Sequence, residues 1–90
     1  MSYDPNEQDD LLTRFLVELR KPTGDGGSKR ASGVKVPWFE DKEHLGAFKR
    51  HFDRWLFEGE KVDPDSGAHP LAHAAWRLLA IVCVETGNVP

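Results

Sequence analysis

An all-α fold is predicted by three observations. Apolar residues recur at intervals of three and four in three separate stretches, each stretch is bracketed by helix start and stop residues, and the segments between them carry turn chemistry. No sheet is expected. With 90 residues the chain makes one small domain, 1–90, whose core is marginal unless a partner completes it. A homodimer is therefore expected.

The first helix is predicted over about residues 5–20. Asp4 reads as its N-cap, Pro5 as the first helical residue and Glu7 as a carboxylate able to return a bond to the cap. Leu11, Leu12, Phe15, Leu16 and Leu19 form one stripe, and Pro22 ends the helix. Residues 21–35 follow as a flexible linker, because Gly, Ser, Lys and Asp offer too little apolar surface to offset the entropy of ordering.

The second and third helices, over about 41–58 and 70–86, are predicted to pair as an antiparallel hairpin within residues 36–87. Asp41 is the expected N-cap of the second, Leu45, Phe48, Phe52, Trp55 and Leu56 its apolar face, and Gly59 its left-handed stop. Pro70 opens the third and Gly87 closes it. The third is apolar nearly all round, through Leu71, Ala74, Ala75, Leu78, Leu79 and Val82 on one side and Trp76, Ala80, Ile81 and Val84 on the other. It should be central, with the first helix or a second subunit on its far side.

Composition excludes several classes. No apolar run reaches the roughly 20 residues of a spanning helix, so no membrane is expected. The single cysteine, Cys83, allows no intramolecular disulfide, and no secretory signal is visible, so a cytoplasmic setting fits. A net charge of -3 gives no general electrostatic attraction to nucleic acid, which is not an expected partner here, although Lys29, Arg30 and Lys35 make a small basic cluster and the charge alone is too small to decide the partner. A helix-turn-helix DNA binder is disfavoured further by the long connection and the absence of a basic face on the third helix.

Polar residues concentrate between the second and third helices. Asp63 and Asp65, with Glu58 and Glu60, put four carboxylates around one turn, which serves either a hard cation or a capped turn. Glu40 and Glu43 form an E-x-x-E pair, again either a cation site or a favourable helix N-terminus. His69 and His73 have the i, i+4 spacing of zinc ligands, but His69 can equally cap the third helix. His51 can approach His73 across the hairpin, which would favour acid–base or phosphate-contacting chemistry. Trp38, Trp55 and Trp76 either pack in the core or stack on a base.

Several strings together resemble a known family. Pro37-Trp38, Arg50-His51, Trp55, Gly59-Glu60, Asp63-Pro64-Asp65-Ser66-Gly67 and Leu71-Ala72-His73-Ala74-Ala75-Trp76 are similar to the phage-type dATP/dGTP diphosphohydrolase N-terminal family, relatives of the all-α MazG-like nucleotide pyrophosphohydrolases. The likeness covers roughly residues 36–82. It implies a helical oligomer in an infected bacterial cytoplasm and Mg²⁺-dependent hydrolysis of dATP or dGTP to monophosphate and pyrophosphate. It implies that His51, Glu60, Asp63, Asp65 and His73 lie at or near the nucleotide site; together with the residue readings above, the expectation is catalytic roles for His51, His73 and Glu60, nucleotide contacts from Trp38, Arg50 and Trp76, and metal ligation by Asp63, Asp65, Glu40 and Glu43. The competing expectation is a non-catalytic helical protein that binds a purine deoxynucleotide or a host protein, since the third helix has His73, Trp76 and Arg77 where MazG-like enzymes place a second acidic pair.

Overall fold

Local signals place two of the three helix starts where a side chain satisfies an orphan backbone amide. The structure, a computed structural model, describes residues 4–23 and 36–90. Among these it has three helices and no strand: α1 Pro5–Thr23, α2 His44–Leu56 and α3 Pro70–Glu85. Asp4 caps α1 by accepting from the Asn6 amide at 2.8 Å. α1 runs on through Pro22, which lies in its last turn and so forfeits a single backbone bond. Of the linker expected over 21–35, residues 24–35 lie outside the described residues.

α2 starts three residues later than the expected cap at Asp41. Glu40 and Asp41 amides both bond back to the Pro37 carbonyl, closing a separate turn, and Asp41 Oδ1 then accepts from the Glu43 amide at 2.9 Å. Glu43 holds the N-cap position without a side-chain cap bond. α3 begins as expected: His69 Nδ1 accepts from the Leu71 amide at 3.0 Å, with Pro70 as the first helical residue. It ends in a Schellman motif, in which Asn88 and Gly87 amides bond to Cys83 and Val84 carbonyls. Gly87 turns the chain there at φ +73°.

α3 is central, with α2 on one side and α1 on the other. α2 and α3 run antiparallel, since His51 faces His73 while His44 faces Arg77. α1 seats its C-terminal part near the start of α3, where Glu18 Oε2 accepts from the His69 amide at 3.2 Å. Lys21, at 2.6 Å, and that amide hold the Glu18 carboxyl below its ordinary range.

The core differs from the one the apolar stripes predict. Its buried apolar residues are Ala47, Ala68, Ala72, Ala74 and Ala80, with Pro70 fully enclosed, and Asp41, His44 and Asp63 are buried among them. Leu45 and Leu56 of α2 and Leu78, Leu79 and Val82 of α3 are exposed, as are Leu11, Leu12, Phe15 and Leu16 of α1. Small side chains are the buried apolar residues of α2 and α3, and between the two helices lie the His51–His73 ring stack and the Arg77 guanidinium against His44. Phe48, Phe52, Trp55, Leu71, Trp76 and Ile81 are half-buried. Among the described residues no helix is long and apolar enough to cross a membrane.

Candidate nucleotide site

The connection after α2 builds the most polar part of the molecule. Asp63 Oδ1 accepts from the amides of Asp65 at 2.8 Å and Ser66 at 3.1 Å, and the Asp63 carbonyl accepts from the Gly67 amide at 2.8 Å. The Asp63 amide bonds to the Ala68 carbonyl at 2.7 Å, which closes the turn at its base. Gly67 sits at φ +73°, a conformation this closure requires and side chains rarely adopt. Burial alone would raise the Asp63 carboxyl, but the Ser66 and Asp65 amides, with His73 and His51 nearby, outweigh it and leave the group below its ordinary range.

That turn presents Ser66 to α3. The Ser66 hydroxyl accepts from the Ala68 amide at 3.1 Å and shares a 2.6 Å hydrogen bond with His73 Nε2. Asp63 Oδ2 lies 3.7 Å from the same nitrogen and 3.9 Å from Arg54 Nη1. Across the interface the imidazole rings of His51 and His73 stack with centroids 4.4 Å apart and planes 13° from parallel. Desolvation, reinforced by His73 and Arg54, pushes the His51 pKa down to about 4, so its ring is neutral near pH 7. Two buried polar atoms here have no protein partner, His51 Nδ1 and Glu60 Oε1.

The opposite end of the interface is fully bonded. Arg77 Nη1 donates to Asp41 Oδ2 and to His44 Nδ1, each at 3.1 Å. His44 must therefore carry its proton on Nε2, which donates to the Trp38 carbonyl at 2.6 Å. The Arg77 guanidinium also lies 5.4 Å from the Trp76 ring centroid, and the His44 ring is 5.8 Å from that indole. Beside this network Trp38, Trp76, Leu79, Ala80 and Cys83 wall a cavity of about 220 Å³.

The predicted residues thus separate into two groups. His51, His73, Asp63 and Asp65 meet at the turn end, with Glu60 next to them in the chain. Trp38 and Trp76 meet at the other end, where Glu40 and Glu43 also lie, exposed. The four acidic residues read as metal ligands are therefore split between the ends of α2. Among the described residues no three His, Cys, Asp or Glu side chains converge as a metal site. Arg50 is exposed, its guanidinium folded back towards Gly46. His69 is spent on capping α3, away from His73's partners. Sequence reasoning missed His44 and Arg77 as a pair. Arg77, the one arginine or lysine of the largely apolar α3, was the available signal, because such a charge needs a partner when buried.

With this geometry in view, the chain can be placed. The family model for dATP/dGTP diphosphohydrolase, N-terminal, matches residues 9–88. The chain belongs to that family. The match reaches beyond the 36–82 span of the sequence resemblance and takes in most of α1, so the dATP/dGTP diphosphohydrolase N-terminal unit comprises all three helices. No curated protein and no solved structure matches the chain.

Proposed function

We propose that the chain is a purine deoxynucleoside triphosphate-binding unit of the diphosphohydrolase type, holding the triphosphate at the turn end of the α2–α3 hairpin. The observation that carries this reading is His51 Nδ1, buried and unpartnered in the ring that stacks on His73, together with a second orphan, Glu60 Oε1, three residues before Asp63. Buried polar groups are nearly always bonded, so two orphans at one end of a family-matched hairpin are bonding capacity kept for a ligand or its water.

Each neighbour has a role on this reading. Arg54, 45% exposed, supplies a guanidinium that can turn from Asp63 to a phosphate. Neutral His51 donates or accepts a single hydrogen bond without repelling Arg54. Ser66 fixes the His73 ring, and Asp63 holds the Ser66 amide and hence the hydroxyl in place. The charge of Asp63 keeps the cluster from becoming a general anion trap.

Hydrolysis of dATP or dGTP to monophosphate and pyrophosphate requires water attack with the triphosphate charge neutralised. Glu40 and Glu43 sit at the far end of α2 from Asp63 and Asp65, and among the described residues no three His, Cys, Asp or Glu side chains converge, so these four residues do not fit a single Mg²⁺ cage. We assign this chain binding and orientation of the nucleotide, with the remaining donors for turnover coming from a second copy or another chain. Exposed apolar faces, led by Phe57 at 77% exposure and by the α1 stripe, support a second reading as a helical interaction protein that docks on a copy of itself or on a host protein.

The test is a thermal-shift and pyrophosphate-release panel with dATP, dGTP, ATP and GTP, with and without Mg²⁺. The expected result is stabilisation by dATP and dGTP that His73→Ala and His51→Leu remove, with little pyrophosphate from this chain alone. Absence of any nucleotide-dependent shift rejects the proposal and favours the interaction reading. Rapid release of pyrophosphate by the chain alone corrects the assignment from binding to catalysis.

A further inference from the structure

α1 meets the rest of the described fold near its C-terminal end. Residues 4–17 are all exposed, and partial burial begins at Glu18 and Leu19, where the Glu18 carboxylate accepts from the His69 amide at the start of α3. The part of α1 from Pro5 to Val17, about 20 Å of helix, has no buried position. A helix of that length is marginal in water unless a tertiary contact supports it.

The exposed part carries a strongly apolar stripe. Leu11 is 62% exposed, Leu12 59%, Leu16 45% and Phe15 41%. Helical spacing sets Leu12 and Leu16 roughly a third of a turn or more round the axis from Glu18, off the side that meets α3. Apolar side chains grouped this way mark a surface that another chain covers.

The charges of α1 favour one occupant. Its N-terminal end carries Asp4, Glu7, Asp9 and Asp10 and no cation, whereas the stretch from Arg14 carries Arg14, Arg20 and Lys21 against Glu18 alone. The Asp10–Arg14 bridge along the helix, 2.9 Å long and exposed, is too weak to cancel this polarity. Two copies laid antiparallel across Leu12 and Leu16 set acidic end against basic end twice, with their helix dipoles opposed. Parallel copies set like charges together. A different protein would require no such change of sign along the helix, whereas pairing with itself does.

We propose that the exposed part of α1 pairs antiparallel with α1 of a second copy, across Leu12 and Leu16, and makes the chain a two-fold dimer. In that register Leu12 of each copy meets Leu16 of the other, and Asp9 lies opposite Arg20 within one residue. The pairing makes specific the self-docking named above and rests on that reading; it is independent of nucleotide binding.

Sedimentation equilibrium of the full chain over a range of protein and salt concentrations is the test. A dimer that weakens as salt rises is expected. Leu12→Glu and Leu16→Glu, both at exposed positions, should each raise its Kd about tenfold or more, while Phe57→Ser, at an exposed site outside α1, leaves it unchanged. All three tryptophans lie outside α1, so their fluorescence shows independently that each variant keeps the hairpin folded. Asp9→Arg and Arg20→Asp should each raise the Kd about threefold, and an equimolar mixture of the two should recover a dimer, because both facing pairs then attract.

A monomer at every concentration overturns the pairing and the self-docking reading together, and leaves a host protein as the occupant of the stripe. A dimer that survives both Leu12→Glu and Leu16→Glu overturns the pairing through α1 while self-docking stands. Failure of the mixed charge variants to recover the dimer overturns the antiparallel arrangement.

Discussion

His44 and His51 lie two turns apart on the same face of α2, and their ring nitrogens have opposite fates. His44 is buried and uses both: Nε2 donates to the Trp38 carbonyl and Nδ1 accepts from Arg77. His51 is half-buried, stacks on His73, and leaves Nδ1 buried without a protein partner. One histidine is consumed by the fold and the other retains bonding capacity. Residue type and helical register do not separate structural from ligand-facing histidines; the accounting of their hydrogen bonds does.

The largest expected effect comes from breaking the consumed end. Arg77→Met removes the guanidinium from an Asp41 carboxylate enclosed at 2% exposure, and should destabilise the fold by about 3 kcal/mol, read as a lower midpoint in urea. His44→Leu should cost about 2 kcal/mol by the same measurement, because the Trp38 carbonyl and the Arg77 donor each lose a buried bond. If His44→Leu is neutral, the link from Arg77 through His44 to the Trp38 carbonyl does not hold the loop.

Asp63→Ala tests whether the turn end has a structural share of its own. It removes an acceptor from the amides of Asp65 and Ser66, and about 1–2 kcal/mol of stability should be lost. The Ser66 hydroxyl should lose its fixed approach to His73 with it, and nucleotide-dependent stabilisation should fall beyond what the lower melting temperature explains.

The pH dependence sharpens the contrast between the histidines. His51 is pushed down to about 4 in the folded chain from an ordinary value of 6.5, so between these values the unfolded chain binds more protons. The stabilisation is complete above pH 6.5 and is lost as pH falls towards 4, by on the order of 1 kcal/mol once solvent screening of a half-exposed ring is allowed for. Asp63, held below its ordinary 3.8, adds a second loss only at lower pH, as its folded-state carboxylate is protonated. Urea titrations between pH 4 and 8 should therefore show a slope that His51→Leu flattens. At pH 7 that substitution should change stability by less than about 0.5 kcal/mol, because it deletes a buried orphan rather than a made bond. A loss comparable to that of His44→Leu would show that His51 is a packing residue like its neighbour two turns away.

Much of the helix anatomy was legible because it is local. Asp4 and Pro5, His69 and Pro70, and Gly59 and Gly87 act on backbone groups within a few residues, so the chain by itself determined where α1 and α3 begin and where α2 and α3 end. The turn at Asp63 to Gly67 was equally readable, since an aspartate accepting from amides two and three residues on needs no distant partner. Asp41 shows where this reading ends. Its local chemistry is that of a cap, and it does accept from Glu43, but its other oxygen accepts from Arg77, 36 residues away on α3, a partner that local chemistry does not reveal.

What the tertiary structure alone decided is which faces meet. Leucine and phenylalanine stripes predicted the buried sides of α2 and α3, yet the buried positions there are alanines, Pro70 and His44, with Phe48 and Phe52 half-buried and Leu45, Leu56, Leu78 and Leu79 exposed. Periodicity measures how much apolar area a face carries, whereas packing selects for volume and for polar groups that can satisfy one another across the gap. The His51–His73 stack, the Arg77 network and the Trp38–Trp76 cavity each join residues more than 20 positions apart, and no local propensity encodes such a meeting.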